Sequence, residues 1–231
     1  MADTDALWCV VPAAGRGTRV GGDVPKQYLP LAGTPLLMHT LERLAAHPRI
    51  RGIVVVLAAD DAFWGRRESL NGKPLVRTIG GAERADSVLA GLHALQDSAD
   101  DAFVLVHDAA RPCIRHDDIS RLIELGAAAG GALLAAPLRD TLKRADRGAR
   151  SIATEPRESR WRALTPQMFR RGELIAALEA ARTDGVNVTD EAMAMERCGH
   201  LPLLVEGAES NIKVTTPADF ALAEFLIART L

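Results

Sequence analysis

The strongest constraint on the fold is an alternation. Continuously apolar runs recur at 7–12 (LWCVVP), 52–58 (GIVVVLA), 75–79 (LVRTI), 102–107 (AFVLVH), 131–136 (GALLAA) and 201–206 (LPLLVE). A run that is apolar at every position suits a strand covered on both faces. Between the runs lie patterns of helical period: Leu37, Leu41 and Leu44; Val88, Leu92 and Leu95; Ile119, Leu122 and Ile123; Phe220, Ala223 and Ile227. Asp117, Thr189 and the pair Thr216-Pro217 stand where helices are expected to start. Strands alternating with helices imply right-handed βαβ units and a mainly parallel sheet with helices on both faces. A chain of 231 residues accommodates this as a single domain, 1–231. Residues 138–163 break the rhythm. They are strongly polar and read as two short strands around a turn near Arg147-Gly148, a protruding β-arm of the kind that grips a partner or covers a site.

The first apolar run leads into VVPAAGRGTRVGGDVPKQY, residues 10–28. A dinucleotide fingerprint needs a third glycine, but Gly15-Arg16-Gly17 is followed by Thr18-Arg19-Val20. A Walker A loop needs Gly-Lys-Ser or Gly-Lys-Thr, but Asp23-Val24 follows Gly22. Neither motif is present, yet their shared physics is. The loop sits at the carboxyl end of the first strand, where open α/β sheets bind ligands. Ala13, Ala14, Gly15 and Gly17 leave the backbone N–H groups approachable. Arg16, Arg19 and Lys26 against Asp23 leave a charge of +2, which suits a polyphosphate. The same residues also satisfy an ordinary βα turn that needs glycine for its dihedrals.

Three further stretches fall at strand ends or helix starts. In VLVHDAARP (104–112), Asp108 is placed to sit among phosphates and share a divalent ion, and Arg111 offers a bidentate fork. The alternative is a helix-capping acid and a surface arginine. In GGAERADSV (80–88), two glycines precede a helix, giving a backbone shelf with Ser87 beside it. The acids there also simply suit the helix dipole. In NIKVTTP (211–217), Lys213 precedes the last helix. The chain has 24 arginines and only four lysines, a bias that genome composition also produces; Lys26 and Lys213 are candidates for a compact ammonium, while a strand lysine such as Lys213 is more often simply solvated.

Several chemistries are excluded. His107, Asp108, Cys113, His116 and Asp117 follow no zinc spacing. No GxSxG elbow is present, and the lone DxD, Asp3-Thr4-Asp5, precedes the first strand. A net charge of −2 argues against nucleic-acid binding. No apolar run approaches the ~20 residues of a membrane helix, and the N-terminus lacks a signal-peptide pattern. Three scattered cysteines, Cys9, Cys113 and Cys198, point to a reducing, cytoplasmic setting.

Together the stretches PAAGRGTR with PKQY, GGAERADSV, VHDAARP, APLRDT, LTPQ, TDEA and NIKVT resemble the 2-C-methyl-D-erythritol 4-phosphate cytidylyltransferase family, in family order and along nearly the whole chain. The resemblance implies a three-layer α/β/α Rossmann-like nucleotidyltransferase fold. It implies that CTP and methylerythritol phosphate are joined, with release of pyrophosphate, by in-line attack of the substrate phosphate on the α-phosphorus, with Mg²⁺ or another divalent cation as cofactor. Arg19 and Lys26 match the pair that stabilises the α-phosphoryl transition state, and Lys213 a lysine that helps position the reactants. Pro12, Ala13, Ala14, Gly15, Gly17, Gly81, Ala82, Ser87, Asp108 and Ala109 match the nucleotide side, with Asp108 as the metal-associated carboxylate. Arg111, Thr141, Arg157, Thr165, Thr189 and Lys213 match the side that holds methylerythritol phosphate. Ser210 stands where an Asp can contact substrate. The resemblance further implies a homodimer in which the arm embraces the partner and Thr141 and Arg157 complete its site. The competing readings are an enzyme of the same fold acting on another alcohol phosphate, such as ribitol phosphate, and a catalytically silent nucleotide-binding protein.

Overall fold

The computed structural model describes residues 6–15 and 24–230. In chain order the elements are β1 (Leu7–Pro12), the small hairpin β2 (Pro30–Leu31) and β3 (Thr34–Pro35), α1 (Leu36–Ala46), β4 (Ile50–Leu57), β5 (Ser69–Leu70), β6 (Lys73–Ile79), α2 (Arg84–His93), β7 (Phe103–Val106), α3 (His116–Ala129) and β8 (Ala132–Pro137). There follow β9 (Leu142–Ala145), β10 (Ser151–Glu155), β11 (Trp161–Arg170), α4 (Arg171–Thr183), α5 (Glu191–Arg197), β12 (Leu203–Glu206) and α6 (Pro217–Thr230).

Eight strands form one sheet in the order β12-β8-β11-β7-β1-β4-β6-β5. β1 lies parallel between β7 and β4, β4 is parallel to β6, and β8 is parallel to β12. β11 runs antiparallel to both its neighbours, β7 and β8, and two-residue β5 is antiparallel to β6 at the edge. The expected mainly parallel α/β/α architecture is therefore present.

The three layers follow from the two-residue period of a strand. Cys9 and Val11 of β1, Ile53 and Val55 of β4 and Leu105 of β7 pack on one face against α1 and α3 through Leu37, Leu41, Ile119 and Leu122. The intervening Val10, Val54, Val56, Val104 and Val106 pack on the other against α2, α4 and α5 through Val88, Leu92, Leu174, Leu178 and Met195. Each such buried aliphatic side chain contributes about 1.5–3 kcal/mol by its removal from water. A third, smaller cluster seats α6 through Ala223 and Ile227 against Leu31, Ala110 and Val214.

Besides the two-residue strands β2, β3 and β5, two long elements lie outside the sequence expectation. β11 (WRALTPQMFR) carries a proline and arginines at both ends, so it shows no apolar run, yet its Leu164–Phe169 stretch is buried. α4 buries Leu174, Ala177, Leu178 and Ala181, a true helical stripe made faint by its alanines. Two expected caps also move. The residue capping α5 is Asp190, whose side chain accepts from Met193 N–H at 2.9 Å, rather than Thr189. α3 starts at His116 with no side-chain cap, leaving Asp117 in its first turn. The last helix does begin at Pro217.

Within 138–163, β9 and β10 pair antiparallel around Asp146, whose Oδ1 accepts from Gly148 and Arg150 N–H at 2.8 and 2.9 Å. Residues 161–163 already belong to β11, opposite Pro137, Ala136 and Ala135 of β8. Among the described residues, no helix is long and apolar enough to cross a membrane.

Candidate active site

Four segments meet beyond the ends of β1, β6 and β7. The first is the loop after β1. Ala13 N–H continues the parallel ladder to Val56 O at 2.7 Å, and the chain then turns at Ala14 and Gly15. Gly17 and Arg19 lie outside the described residues. The chain returns through a single 3₁₀ turn, Lys26–Tyr28. Each of its side chains anchors a different partner. Gln27 Nε2 donates to Ala13 O at 2.8 Å, closing the neck of the loop. Tyr28 OH donates to Asp61 at 2.7 Å, and its ring stacks on Phe63. Lys26 Nζ donates to Val214 O at 2.7 Å.

The second segment is Gly80-Gly81 ahead of α2. A Cβ on Gly80 would stand 2.5 Å from Ser87 Oγ and 2.7 Å from Ala14 Cβ, and one on Gly81 would stand 2.4 Å from Asp86 Cβ. The glycine pair is thus what lets this turn approach both α2 and the first loop. Ser87 is buried and donates to Glu83 O at 3.2 Å.

The third segment is the turn after β7. Asp108 is buried and surrounded by cations: Arg84 Nε at 3.2 Å from Oδ1, and Arg111 Nε and Lys213 Nζ at 3.3 and 2.9 Å from Oδ2. Burial alone would raise its pKa. The charges of Arg84, Lys213 and Arg111 outweigh burial and hold the carboxyl well below the usual carboxylate range. Arg84 also forks onto Glu191 of α5, at 2.6 and 3.2 Å. Burial opposes the Arg84 charge, but Glu191 and Asp108 more than compensate, so the guanidinium stays charged. Next in the chain, His107 is buried, and that burial pushes its pKa down to about 4.

The fourth segment is 211–214, which lies along the third. Val214 N–H donates to Ala110 O at 2.8 Å, and Arg111 donates to Asn211 O at 2.7 Å.

Together these segments enclose a cleft of about 350 Å³. Pro12, Ala13, Ala14, Gly15, Lys26, Gly81, Ala82, Ser87, Asp108, Ala109 and Lys213 all line it, as do Gln27, Glu83 and Arg84. Among the lining residues, Lys26, Arg84 and Lys213 carry three positive charges against two on Glu83 and Asp108, an excess of one. Small residues leave main-chain donors open on one wall, and the cations stand on the other. The arrangement suits a polyphosphate ester. Among the described residues no cluster of three or more His, Cys, Asp or Glu is placed to hold a metal by itself.

The remaining expected residues lie elsewhere. Arg111 and Thr165 are buried behind the Asp108 turn and do not line the cleft. Thr189 is exposed beside the start of α5, its hydroxyl near Met193 Sδ. Thr141 and Arg157 are exposed on the arm, where Arg157 donates to Arg139 O.

The family model described as 2-C-methyl-D-erythritol 4-phosphate cytidylyltransferase matches residues 7–229. The chain belongs to this family. The cytidylyltransferase of Xanthomonas campestris pv. campestris (strain B100) is 60% identical over 228 residues, covering 97% of this chain and 86% of the relative. That of Stenotrophomonas maltophilia (strain R551-3) is 58% identical over 226 residues, 97% of each chain. Among solved structures, the Francisella tularensis cytidylyltransferase matches with a TM-score of 0.82 at 32% identity, covering 96% of this chain and 99% of that one.

Sequence reasoning missed three residues of this cytidylyltransferase cleft and its support: Gln27, Arg84 and Glu191. All three stand inside stretches that the sequence singles out, PKQY, GGAERADSV and TDEA. Their neighbours drew the assignment because a buried ion pair between residues 84 and 191 has no local signature. Asn211, buried between Thr165 and Arg111, was missed for the same reason.

Proposed function

We propose that this chain joins CTP to 2-C-methyl-D-erythritol 4-phosphate, releasing pyrophosphate and forming 4-diphosphocytidyl-2-C-methyl-D-erythritol. The observation that carries the reading is the convergence of Lys26, Lys213 and Asp108, far apart in sequence, on one cleft with a small-residue wall.

A phosphate oxygen of the alcohol phosphate attacks the α-phosphorus in line. The new O–P bond forms as the bond to the β-phosphate oxygen breaks, and the electron pair leaves with pyrophosphate. No protein nucleophile is required, which agrees with the absence of a GxSxG elbow. Catalysis then consists of positioning and of charge placed where the transition state needs it. Lys26 and Arg19 supply that charge from the two ends of the first loop, and Lys213 orients the reactants from the segment on which Lys26 rests. Pro12, Ala13, Ala14, Gly15, Gly17, Asp108 and Ala109 hold the triphosphate side, while Gly81, Ala82 and Ser87 read the cytosine edge. Arg111 and Thr189 belong to the side of the alcohol phosphate, and Thr165 lies behind it.

Asp108 is the carboxylate that would face Mg²⁺, and because both its oxygens already pair with Arg84, Arg111 and Lys213, substrate phosphates and water would supply most of the ion's ligands. When bound, the ion neutralises phosphate charge.

The arm joins two copies. Leu142 and Ile152 on the hairpin and Trp161 at its base are exposed apolar groups that a partner would cover. Thr141 and Arg157 lie off their own cleft and would complete the partner's. The free cysteines, Cys9, Cys113 and Cys198, suit a cytoplasmic enzyme.

The test is pyrophosphate release from CTP with a panel of alcohol phosphates. Turnover with methylerythritol phosphate far above that with ribitol phosphate is expected. Preference for ribitol phosphate, or release with none of them, would contradict the reading.

A further inference from the structure

The resemblance gives Thr165 to the substrate, but its hydroxyl is already engaged. We infer that Thr165 and His107 form a positioning pair that sets the turn carrying Asp108 and Arg111, and that the Thr165 hydroxyl serves the protein rather than the alcohol phosphate. This inference rests on the cytidylyltransferase reading above.

The placement starts from sheet register. β11 faces β7 antiparallel with Gln167 opposite Val106, so two more residues along the same register put Thr165 opposite Asp108. There a side chain replaces the ladder, and Asp108 N–H donates to Thr165 Oγ1 at 3.0 Å. The pairing of β11 with β8 shifts between Ala163 and Gln167, so Thr165 sits in an irregular stretch whose geometry side chains must fix.

Hydrogen-bond chemistry then assigns every proton. The Arg111 carbonyl can only accept, so His107 Nε2, 3.1 Å away, carries the proton. Nδ1 of the neutral ring is therefore an acceptor. Thr165 Oγ1 lies 3.0 Å from it and donates its single hydrogen. The bonds run from Asp108 N–H to Thr165 Oγ1, on to His107 Nδ1, and from His107 Nε2–H to Arg111 O. They pin the turn at its start and at its end. Asn211 extends the hold, donating to Thr165 O at 2.7 Å while its own carbonyl accepts from Arg111 at 2.7 Å. The segment bearing Lys213 is thereby tied to the same point. Thr165 has given its one hydrogen to His107, and at 4% exposure and outside the cleft lining its remaining lone pair is not presented to a substrate.

Removing the hydroxyl leaves Asp108 N–H and His107 Nδ1 buried without partners. The turn then shifts, and a displacement of about 1 Å in positioning groups can cost on the order of 10²-fold in rate. A substrate-binding hydroxyl would act on KM for the alcohol phosphate instead.

The experiment compares Thr165→Val, Thr165→Ser, His107→Gln and the double variant Thr165→Val/His107→Gln, and records the ¹⁵N spectrum of the His107 imidazole in the wild type. Thr165→Val is expected to lower kcat by roughly 10-fold or more with KM for methylerythritol phosphate little changed, and Thr165→Ser to recover most of the loss. The double variant should be no slower than the slower single one, because the pair acts as a unit. The wild-type spectrum should show the neutral Nε2–H tautomer. A raised KM for methylerythritol phosphate with kcat preserved, additive losses, or an Nδ1–H tautomer would overturn the inference. If His107→Gln fails to fold, the Thr165 pair and the spectrum still decide. The tautomer needs no substrate, so a wild type without turnover contradicts the enzymatic reading separately.

Discussion

Lys26 Nζ donates to the carbonyl oxygen of Val214 at 2.7 Å. Val214 follows Lys213, whose own ammonium lies 2.9 Å from Asp108. Two of the chain's four lysines, from opposite ends of the sequence, therefore meet on one short segment. That segment is fixed in turn by Val214 N–H on Ala110 O and Arg111 on Asn211 O. A charge held in place before substrate arrives costs no reorganisation during reaction.

Lys26→Ala should therefore lower kcat by ~10² or more, the effect of removing one preorganised group aimed at developing charge. Its thermal midpoint should stay close to wild type, since Lys26 belongs to none of the hydrophobic core clusters. Lys26→Arg should not restore the rate, because a planar fork does not replace a compact ammonium. Steady-state pyrophosphate release together with a melting curve checks all three statements.

Arg84 and Glu191 join α2 to α5 behind the cleft, and Glu191 is 1% exposed. Glu191→Ala leaves Arg84 without its better partner and should destabilise the fold by roughly 3 kcal/mol, as breaking a buried pair does. Replacing both residues by apolar side chains of similar size should recover much of that loss. Urea denaturation of the two variants makes the comparison, and a double variant that loses as much as Glu191→Ala would show that the uncompensated Arg84 charge is not what costs stability.

Acid stability should depend on His47. It is buried between α1 and α3, with Nε2 3.0 Å from Ser120 Oγ and its ring edge-on to His116. Burial, followed by the charges of His116 and Lys73, pushes its pKa down to about 4 from 6.5. In the unfolded chain His47 takes up a proton below about pH 6.5, whereas in the folded protein it does so only near pH 4. Stability from this group is thus complete above pH 6.5 and is lost as pH falls towards 4, by up to roughly 3 kcal/mol. His47→Gln should flatten the stability profile between those limits. Urea midpoints measured from pH 4 to 7 test this, and an unchanged slope would remove His47 from the explanation.

The proposed sharing of the site between two subunits makes a prediction that a monomer cannot satisfy. Arg157→Ala and Lys26→Ala proteins, each inactive alone, should complement when mixed and allowed to exchange subunits. The mixed dimer has one cleft with its own Lys26 and the partner's intact arm. Random exchange places half the molecules in mixed dimers with one working cleft each, so about a quarter of wild-type activity should return. No recovery, with exchange confirmed by mass, would place Arg157 outside the partner's cleft.

Much of this was legible in the sequence, for identifiable reasons. β1 is legible to the residue because its run of apolar side chains is buried on both faces. The cleft wall was legible as a candidate because small residues and basic side chains cluster after the first strand, although an ordinary βα turn would show the same glycines. β11 was not, since its proline and arginines hide a strand that is buried only over its middle. The Arg84–Glu191 pair was not, since only folding brings α2 and α5 together. Thr165 shows the other limit: its motif was legible, but the partners of its hydroxyl, His107 and Asp108, appear only in three dimensions.

The most direct measurement supplies CTP, Mg²⁺ and methylerythritol phosphate labelled with ¹⁸O in its phosphate, and follows the products by ³¹P NMR. The expected result is 4-diphosphocytidyl-2-C-methyl-D-erythritol that keeps the label, together with unlabelled pyrophosphate. Absence of the cytidylyl product, or ¹⁸O in pyrophosphate, would contradict direct attack of the substrate phosphate on the α-phosphorus in this cleft.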